Sequence, residues 1–397
     1  MTLSIDRIEA SDIRFPTSRW LAGSDAMNPD PDYSAAYVVI HTSSDDLKGY
    51  GFTFTIGRGT ELCVAAIQLI APMLVGRTLD DLVSDMGAVW RSLAGDSQLR
   101  WLGPEKGVVH LALAAVTNAL WDLWARQQGK PLWRLIADMS PEELVRVIDF
   151  RHITDALTPP EARDIVARAI AGRDAMLPVL QTKGYPAYTT SAGWLGYPDD
   201  QIHELCLQAV ADGWGAIKMK VGRDRADDAR RCAVVRAAIG ERLLMIDANQ
   251  VWEIAEAIEH VSSLAQFGIY WIEEPVSPDD ILGHAAVRRG VAPIRVATGE
   301  HAHNRVMFKP LLQADAIDVV QFDCRRLAFV DALSISGSLE NRMLEHAGHL
   351  HEHFSDPITI DRGRYRMPQA PGFSTELKAE SRLEYAFPHG SAWTSAS

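Results

Sequence analysis

The sequence predicts an α/β protein in which a mixed strand-and-helix part precedes a parallel (β/α) barrel, and three observations carry that prediction. From about residue 180, short apolar strands recur with helix-compatible stretches between them, the pattern of successive parallel βα units. The first hundred-odd residues instead combine a strand hairpin with a long apolar helix. With 397 residues, 47% of them hydrophobic, the chain can bury more core than one average domain needs.

The N-terminal elements follow from local pattern. "SAAYVVIHT" (34–42) and "GYGFTFTIG" (49–57) are β-rich and separated by the polar "SSDDLK", which predicts a hairpin. "ELCVAAIQLIAPML" predicts a helix. "GVVHLALAAVTNALWDLWARQQGKP" predicts one long buried helix closed by Gly129 and Pro131, with Trp121 and Trp124 as core rather than ligand contacts. Before the hairpin, "RWLAGSDAMNPDPDYS" has loop composition and is long enough to need a function if it is ordered.

The barrel strands are "PAYTTS", "AIKMKV" (216–221), "LLMIDAN" (243–249), "IYWIEEP" (269–275), "IRVATGEH" (294–301), "DVVQFDC" (318–324) and, last, "ALSISGS". Segments such as "DDARRCAVVRAAIG" and "IAEAIEHVSSLAQFG" supply the intervening helices. In such a barrel chemistry gathers at the C-terminal ends of the strands.

Net charge is −13 with no long basic run, which argues against nucleic acid and against electrostatic attachment to acidic lipid. Cys63, Cys206, Cys232 and Cys324 lack disulfide or zinc-ligand spacing, and a reducing cytoplasm fits them. The N-terminus has no signal-peptide pattern and no apolar run approaches bilayer length, so a soluble cytoplasmic protein is expected.

Within "GAIKMKVG", Lys218 and Lys220 are two residues apart on a strand and share one face. Repulsion between them favours a neutral, basic amine on one; an edge strand kept soluble by lysine is the ordinary alternative. Asp247, Glu273 and Glu300 then follow Lys220 at intervals of 27, 26 and 27 residues, one per strand end. Three carboxylates at one height repel unless a cation sits among them, and all-oxygen ligands favour Mg²⁺. Each alone could be a surface cap or ion-pair partner.

"KMK", "DAN", "WIEEP" and "TGEH" at successive strand ends resemble the enolase superfamily, in its mandelate racemase group. Inside that group "RFPTS", "GSDAMNPDPDYSAAYVVI", "RWLGPEKGVVHLA", "YPAYTTSAGWLGYPDD", "SPDDILGHA" and "HLHEHF" are similar to the L-fuconate dehydratases. The resemblance implies a modified TIM-type barrel over residues 141–345, an α+β cap over 1–140 and a return of 346–397 to the cap. It implies that Asp247, Glu273 and Glu300 hold Mg²⁺ and that Lys220, assisted by Lys218, faces the substrate α-carbon. Asn249 and Glu340, the latter at the last strand, match substrate contacts, and Gly23, Ser24, Asp25 and Tyr33 match the loop that closes over a sugar acid. The implied reaction removes the proton α to a carboxylate and expels the β-hydroxyl, giving a 2-keto-3-deoxy acid, in a symmetric homo-oligomer. A proton beside a carboxylate is barely acidic, and metal coordination of the developing enediolate offsets this by several kcal/mol.

The pattern breaks after Asp323, which in the family orients an acid/base histidine on the next strand. From Asp323 to Asp331 is eight residues, whereas a parallel crossover needs a dozen or more. By comparison with the family, one βα unit is missing, as a helix, a strand and a further helix of roughly three dozen residues, and ordinary βα spacing supports the same count. "EHAGHLHEHF" offers His346, His349, His351 and His353, but the family carries the same string outside the barrel, which favours packing over metal binding. His301 alternates away from the ligand face. Two classes remain: a Mg²⁺-dependent acid-sugar dehydratase, or a catalytically impaired relative that binds metal and sugar acid.

Overall fold

The computed structural model describes residues 3–322 and 327–394. The cap is an antiparallel sheet of β1 (Ile5–Arg14), β2 (Ser34–Thr42) and β3 (Lys48–Thr55), in that order. Its inner face lies on α1 (Thr60–Ile70) and on the 21-residue α2 (Gly107–Gln127). Gly49 and Gly51 let α2 approach β3: a Cβ on either would stand 2.3 Å from Ala119 backbone atoms. Contrary to the sequence expectation, α2 is long and apolar enough to cross a membrane by length and composition, but most of it is buried in the cap core, which accounts for its apolarity.

The barrel strands are β4 (Tyr185–Thr189), β5 (Ala216–Lys220), β6 (Leu243–Asp247), β7 (Ile269–Glu273), β8 (Arg295–Thr298), β9 (Val319–Val320) and β10 (Leu344–His346). They form one curled parallel sheet in the order β10-β4-β5-β6-β7-β8-β9, and β11 (Arg364–Tyr365) joins β4 antiparallel. Outside the sheet run α3 (Asp199–Ala211), α4 (Arg225–Ile239), α5 (Ile254–Leu264), α6 (Ile281–Val291) and α7 (Arg305–Gln313). Their buried faces share a continuous core with the outward side chains of the strands, such as Ile217, Met219, Leu244, Ile246 and Ile272. The C-terminal segment returns to the cap, where Leu377 joins Ile13, Phe15, Tyr37 and Val39.

The end of the barrel departs from the sequence reading in one respect. "ALSISGS" is not a strand: residues 328–335 are helical, with Ala328, Phe329, Val330, Ala332 and Leu333 all buried. Continuous burial rather than alternation marks a helix packed into a core. The last parallel strand is β10, and the stretch from Val320 to Leu344 is long enough for one helical crossover. Among the described residues one helix thus lies between β9 and β10, where the sequence reading expected none. Among the described residues, β9 and β10 are the two ends of the sheet and share no ladder. Val320 and Phe322, at the β9 end, are exposed.

Candidate active site at the mouth of the barrel

Strand register brings the predicted groups to one height. Lys220 pairs with Asp247 across β5 and β6, and Asp247 with Glu273 across β6 and β7. Both lysines converge on Asp247 Oδ2, Lys218 Nζ at 3.0 Å and Lys220 Nζ at 2.7 Å. Lys218 also donates to Glu273 Oε1 at 2.7 Å and to Glu345 Oε2 at 3.1 Å. Lys220 donates to Asn249 Oδ1 at 2.9 Å, and the Asn249 amide donates to Asp247 Oδ1 at 3.0 Å. Asn249, Gln250 and Glu274 all have φ between 43° and 70°, so the strand-end backbone is held in the left-handed region where strain collects at functional sites.

The charges do not behave as the lysine pair alone suggests. Burial by itself would depress both amines, but Glu273 and Glu345 around Lys218, and Asp247 beside Lys220, outweigh it and hold both well above the ordinary lysine value. Repulsion therefore does not neutralise either lysine while the carboxylates face them. Burial would likewise raise Asp247, yet Lys220 and Lys218 hold it low. On Glu273 burial and the neighbouring Asp247 push upward while Lys218 favours the ionised form. The 2.7 Å contact with Lys218 decides in favour of an ion pair.

Three carboxylates, Asp247, Glu273 and Glu345, then face two ammonium groups. Glu273 Oε2 is buried and accepts no hydrogen bond from the described residues. An excess carboxylate and an orphaned buried oxygen are what a hard divalent cation would satisfy, so Asp247 and Glu273 fit the metal role. Glu300, unlike them, is not on a strand. It lies in the turn beyond β8, three residues past the Ala297 that pairs with Glu273, and is exposed. Its charge still reaches Lys220, Tyr33 and His301. Among the described residues no three His, Cys, Asp or Glu side chains are drawn together as ready ligands, and Lys218 sits between Asp247 and Glu273.

Glu345 is the group that sequence reasoning missed. It lies on β10 opposite Tyr188 of β4, whose hydroxyl stands 3.3 Å from Glu345 Oε2. Glu340, read as the last-strand contact, is exposed in a turn whose backbone is fixed by Ser338. The error follows from taking "ALSISGS" as the strand. A three-residue strand shows too little alternation to be seen, and only the pairing partner exposes it. Asp323 lies outside the described residues.

The cap loop does reach the mouth. Gly23 has φ 88°, and a Cβ there would stand 2.3 Å from Tyr33 Cε1, so the glycine makes room for the Tyr33 ring. Burial pushes the Tyr33 hydroxyl up, while Lys220, Glu345, Glu300 and Asp25 all act on it, which locates it among the site charges. Asp25 accepts from the amides of Met27 and Asn28 at 2.8 and 2.7 Å, and burial raises its carboxyl despite Lys220. The Ser24 side chain donates to Pro29 O inside the loop, and its carbonyl accepts from the Leu195 amide at 3.0 Å. Ser24 thus anchors the loop to the barrel, and Asp25 and Tyr33 carry the charge and the ring.

The histidines pack. His346 stacks between Trp214 and His351, and His353 lies against Phe15 and Tyr385. His349 packs on Tyr33 and Trp194. His301 is held at 2.9 Å from Glu274 and pushed up to about 9 by it.

A curled parallel barrel with acids and lysines on adjacent strand ends, under a loop from an antiparallel cap, defines a capped barrel of the enolase type. The chain belongs to the enolase superfamily, in its mandelate racemase and muconate lactonizing group. Residues 201–330 match the enolase C-terminal domain-like family, and residues 30–137 match the mandelate racemase / muconate lactonizing enzyme N-terminal domain. Human mitochondrial enolase superfamily member 1 is 48% identical, with 98% of this chain and 97% of the relative covered. Its crystal structure superposes with a TM-score of 0.97 over 99% of this chain and 98% of that one. That alignment runs over 429 positions, more than the 397 residues here, so the relative carries residues this chain lacks. L-galactonate dehydratase of Hypocrea jecorina is 45% identical over 98% of this chain and 96% of its own length. L-talarate/galactarate dehydratase of Salmonella typhimurium, crystallised with Mg and L-lyxarohydroxamate, shares the fold at 22% identity and a TM-score of 0.73, covering 97% of this chain and 93% of that one.

Proposed function

We propose that this protein binds Mg²⁺ and a sugar acid of the L-fuconate or L-galactonate type, removes the α-proton with Lys220, and completes dehydration slowly. The observation that carries the reading is the shared register of Lys220, Asp247 and Glu273. It sets Lys220 beside the two carboxylates that fit a divalent cation, which supports reading its amine as the base. When bound, the cation supplies positive charge against the substrate carboxylate as its α-carbon loses a proton. Asp247 and Glu273 would hold it, with Glu300 completing the set. Displacement of Lys218 and Lys220 from the carboxylates would free the Lys220 amine to accept the proton, and Asn249 would orient that amine. Asp25 and Tyr33 exclude water from above. The dehydratase names of relatives such as the Hypocrea jecorina protein support the acid-sugar assignment.

Slow elimination follows from the missing unit. A leaving hydroxyl needs a proton donor, and the strand that carries the family histidine has no counterpart among the described residues. Incubation with Mg²⁺ in D₂O, with L-fuconate and L-galactonate in parallel, tests both halves. α-Deuteration with little 2-keto-3-deoxy product is expected. Product at an ordinary enzymatic rate would refute the impairment, and absence of both reactions with either acid would refute the assignment.

A further inference from the structure

The side chain of Arg231, on α4, is among the most deeply buried in the protein, at 1% exposure. It forms no ion pair with any described carboxylate at contact distance; its hydrogen bonds go to backbone carbonyls. Nη1 donates to Lys220 O at 2.6 Å, and Nη2 donates to Gly193 O at 3.0 Å and Trp194 O at 2.9 Å. Burying a guanidinium costs several kcal/mol, and hydrophobic residues of similar volume fill such a space at lower cost. The charge is therefore poorly explained as core packing.

The three carbonyls identify what it holds. Gly193 O also accepts the Lys220 amide at 2.9 Å, so Arg231 and the 193–194 turn fasten the Lys220 peptide on both sides. The turn runs so close to β5 that a Cβ on Gly193 would stand 2.5 Å from Lys218 O. Its other member, Trp194, places its ring 5.7 Å from Lys220 Nζ. One turn of helix earlier, buried Asp228 accepts from the Gly222 amide at 2.8 Å and from His260 Nε2 at 3.0 Å. A single helix thus sends a cation and an anion to the carbonyl and amide that flank the exit from β5.

We infer that Arg231 is a positioning residue for Lys220: its guanidinium locks the strand end and the Trp194 turn into one unit, fixing both the backbone from which the amine extends and the aromatic wall it faces. This rests on the proposed role of Lys220 as the base. A displacement of about 1 Å in a reacting group costs on the order of a hundredfold in rate. Removing the clamp therefore slows proton abstraction and leaves sugar-acid binding, which depends on the cap loop and the carboxylates, nearly intact.

The test uses the full chain loaded with Mg²⁺ and L-galactonate as probe. Arg231→Met is expected to lower the saturating rate of α-deuteration about a hundredfold while the half-saturating concentration stays within threefold. Arg231→Lys, which keeps the charge and part of the bonding, is expected to recover at least tenfold of that loss. Arg230→Met, on the exposed side of α4, controls for helix damage and changes neither quantity. Unchanged deuteration in folded Arg231→Met overturns the inference. So does parallel loss of binding, rate and melting temperature that Arg231→Lys does not relieve, because that outcome marks a merely structural residue. A crystal structure of Arg231→Met gives a readout independent of turnover. A shifted Lys220 carbonyl and Trp194 ring support the clamp, and both in place overturn it. Should the natural protein catalyse no exchange, the proposed function fails and this structural readout still decides the role of Arg231.

Discussion

The Lys218 ammonium lies 2.7 Å from Glu273 Oε1 and bridges on to Asp247 and Glu345, so one amine gathers three carboxylates from three strands. In effect the fold carries an internal cation where the acids would otherwise repel. Withdrawing it leaves buried negative charge without a counterion, a loss typically of 3–5 kcal/mol.

Lys218→Met should therefore destabilise the metal-free protein by about 3–5 kcal/mol, and millimolar Mg²⁺ should recover a large part of that loss. Thermal melting with and without Mg²⁺ measures both. A variant that melts like the natural protein in EDTA would show that the ion pair is not what holds the acids together. Lys220→Met should abolish α-deuteration while costing less stability, because Lys218 still neutralises Asp247.

Glu345 and Glu340 separate observed geometry from sequence expectation. Glu345→Gln removes the partner of Lys218 and Tyr188, and should lower the deuteration rate at least tenfold. Glu340→Gln, exposed in its turn, should stay within twofold. Exchange rates at saturating L-galactonate decide, and the reverse ranking would place the last-strand contact at residue 340 after all.

The missing unit can be restored. Inserting at residues 323–326 a βα unit bearing the acid/base histidine that the family resemblance implies should raise 2-keto-3-deoxy product formation about a hundredfold or more, the scale of a general acid/base contribution, while α-deuteration changes only a few-fold. If product stays flat in a folded graft, the impairment has another source.

Arg305 of α7 and Arg151 both bind Asp149, at 2.9 and 2.7 Å, which ties the barrel to the segment leaving the cap. Burial would raise Asp149, but Arg151 and Arg305 outweigh it and hold it below the usual aspartate range. Its stabilising contribution is complete above the unfolded value of about 3.9 and disappears as pH falls through the lower folded value. Asp149→Asn should lower the melting temperature at pH 7, with a deficit that shrinks as the pH is brought below the unfolded value of about 3.9. A deficit that does not shrink would assign the effect to packing instead.

Much of the site was legible because strand chemistry repeats. An apolar run ending in an acid or lysine marks both the strand and the height of its last side chain, which is why Lys218, Lys220, Asp247 and Glu273 meet as the spacing indicates, whereas Asn249 was indicated by the family resemblance. Glu300 was less legible because the chain turns before reaching it. Glu345 was hidden because its strand has three residues and owes its position to Tyr188 across the ladder rather than to any local pattern. The ionisation of the lysine pair could not be read locally either: it depends on acids brought from three other strands. The Arg231 clamp left no signal at all, since an arginine on a helix ordinarily reads as solvent-facing.

The unjoined ends of the barrel sheet bear on handling as well as on chemistry. β9 and β10 each present a row of backbone donors and acceptors with no neighbour across the gap among the described residues, and Val320 and Phe322 add apolar surface beside one of them. Such margins recruit whatever strand comes within reach, including one from another copy. A variant that pairs these two margins with each other should therefore gain solubility.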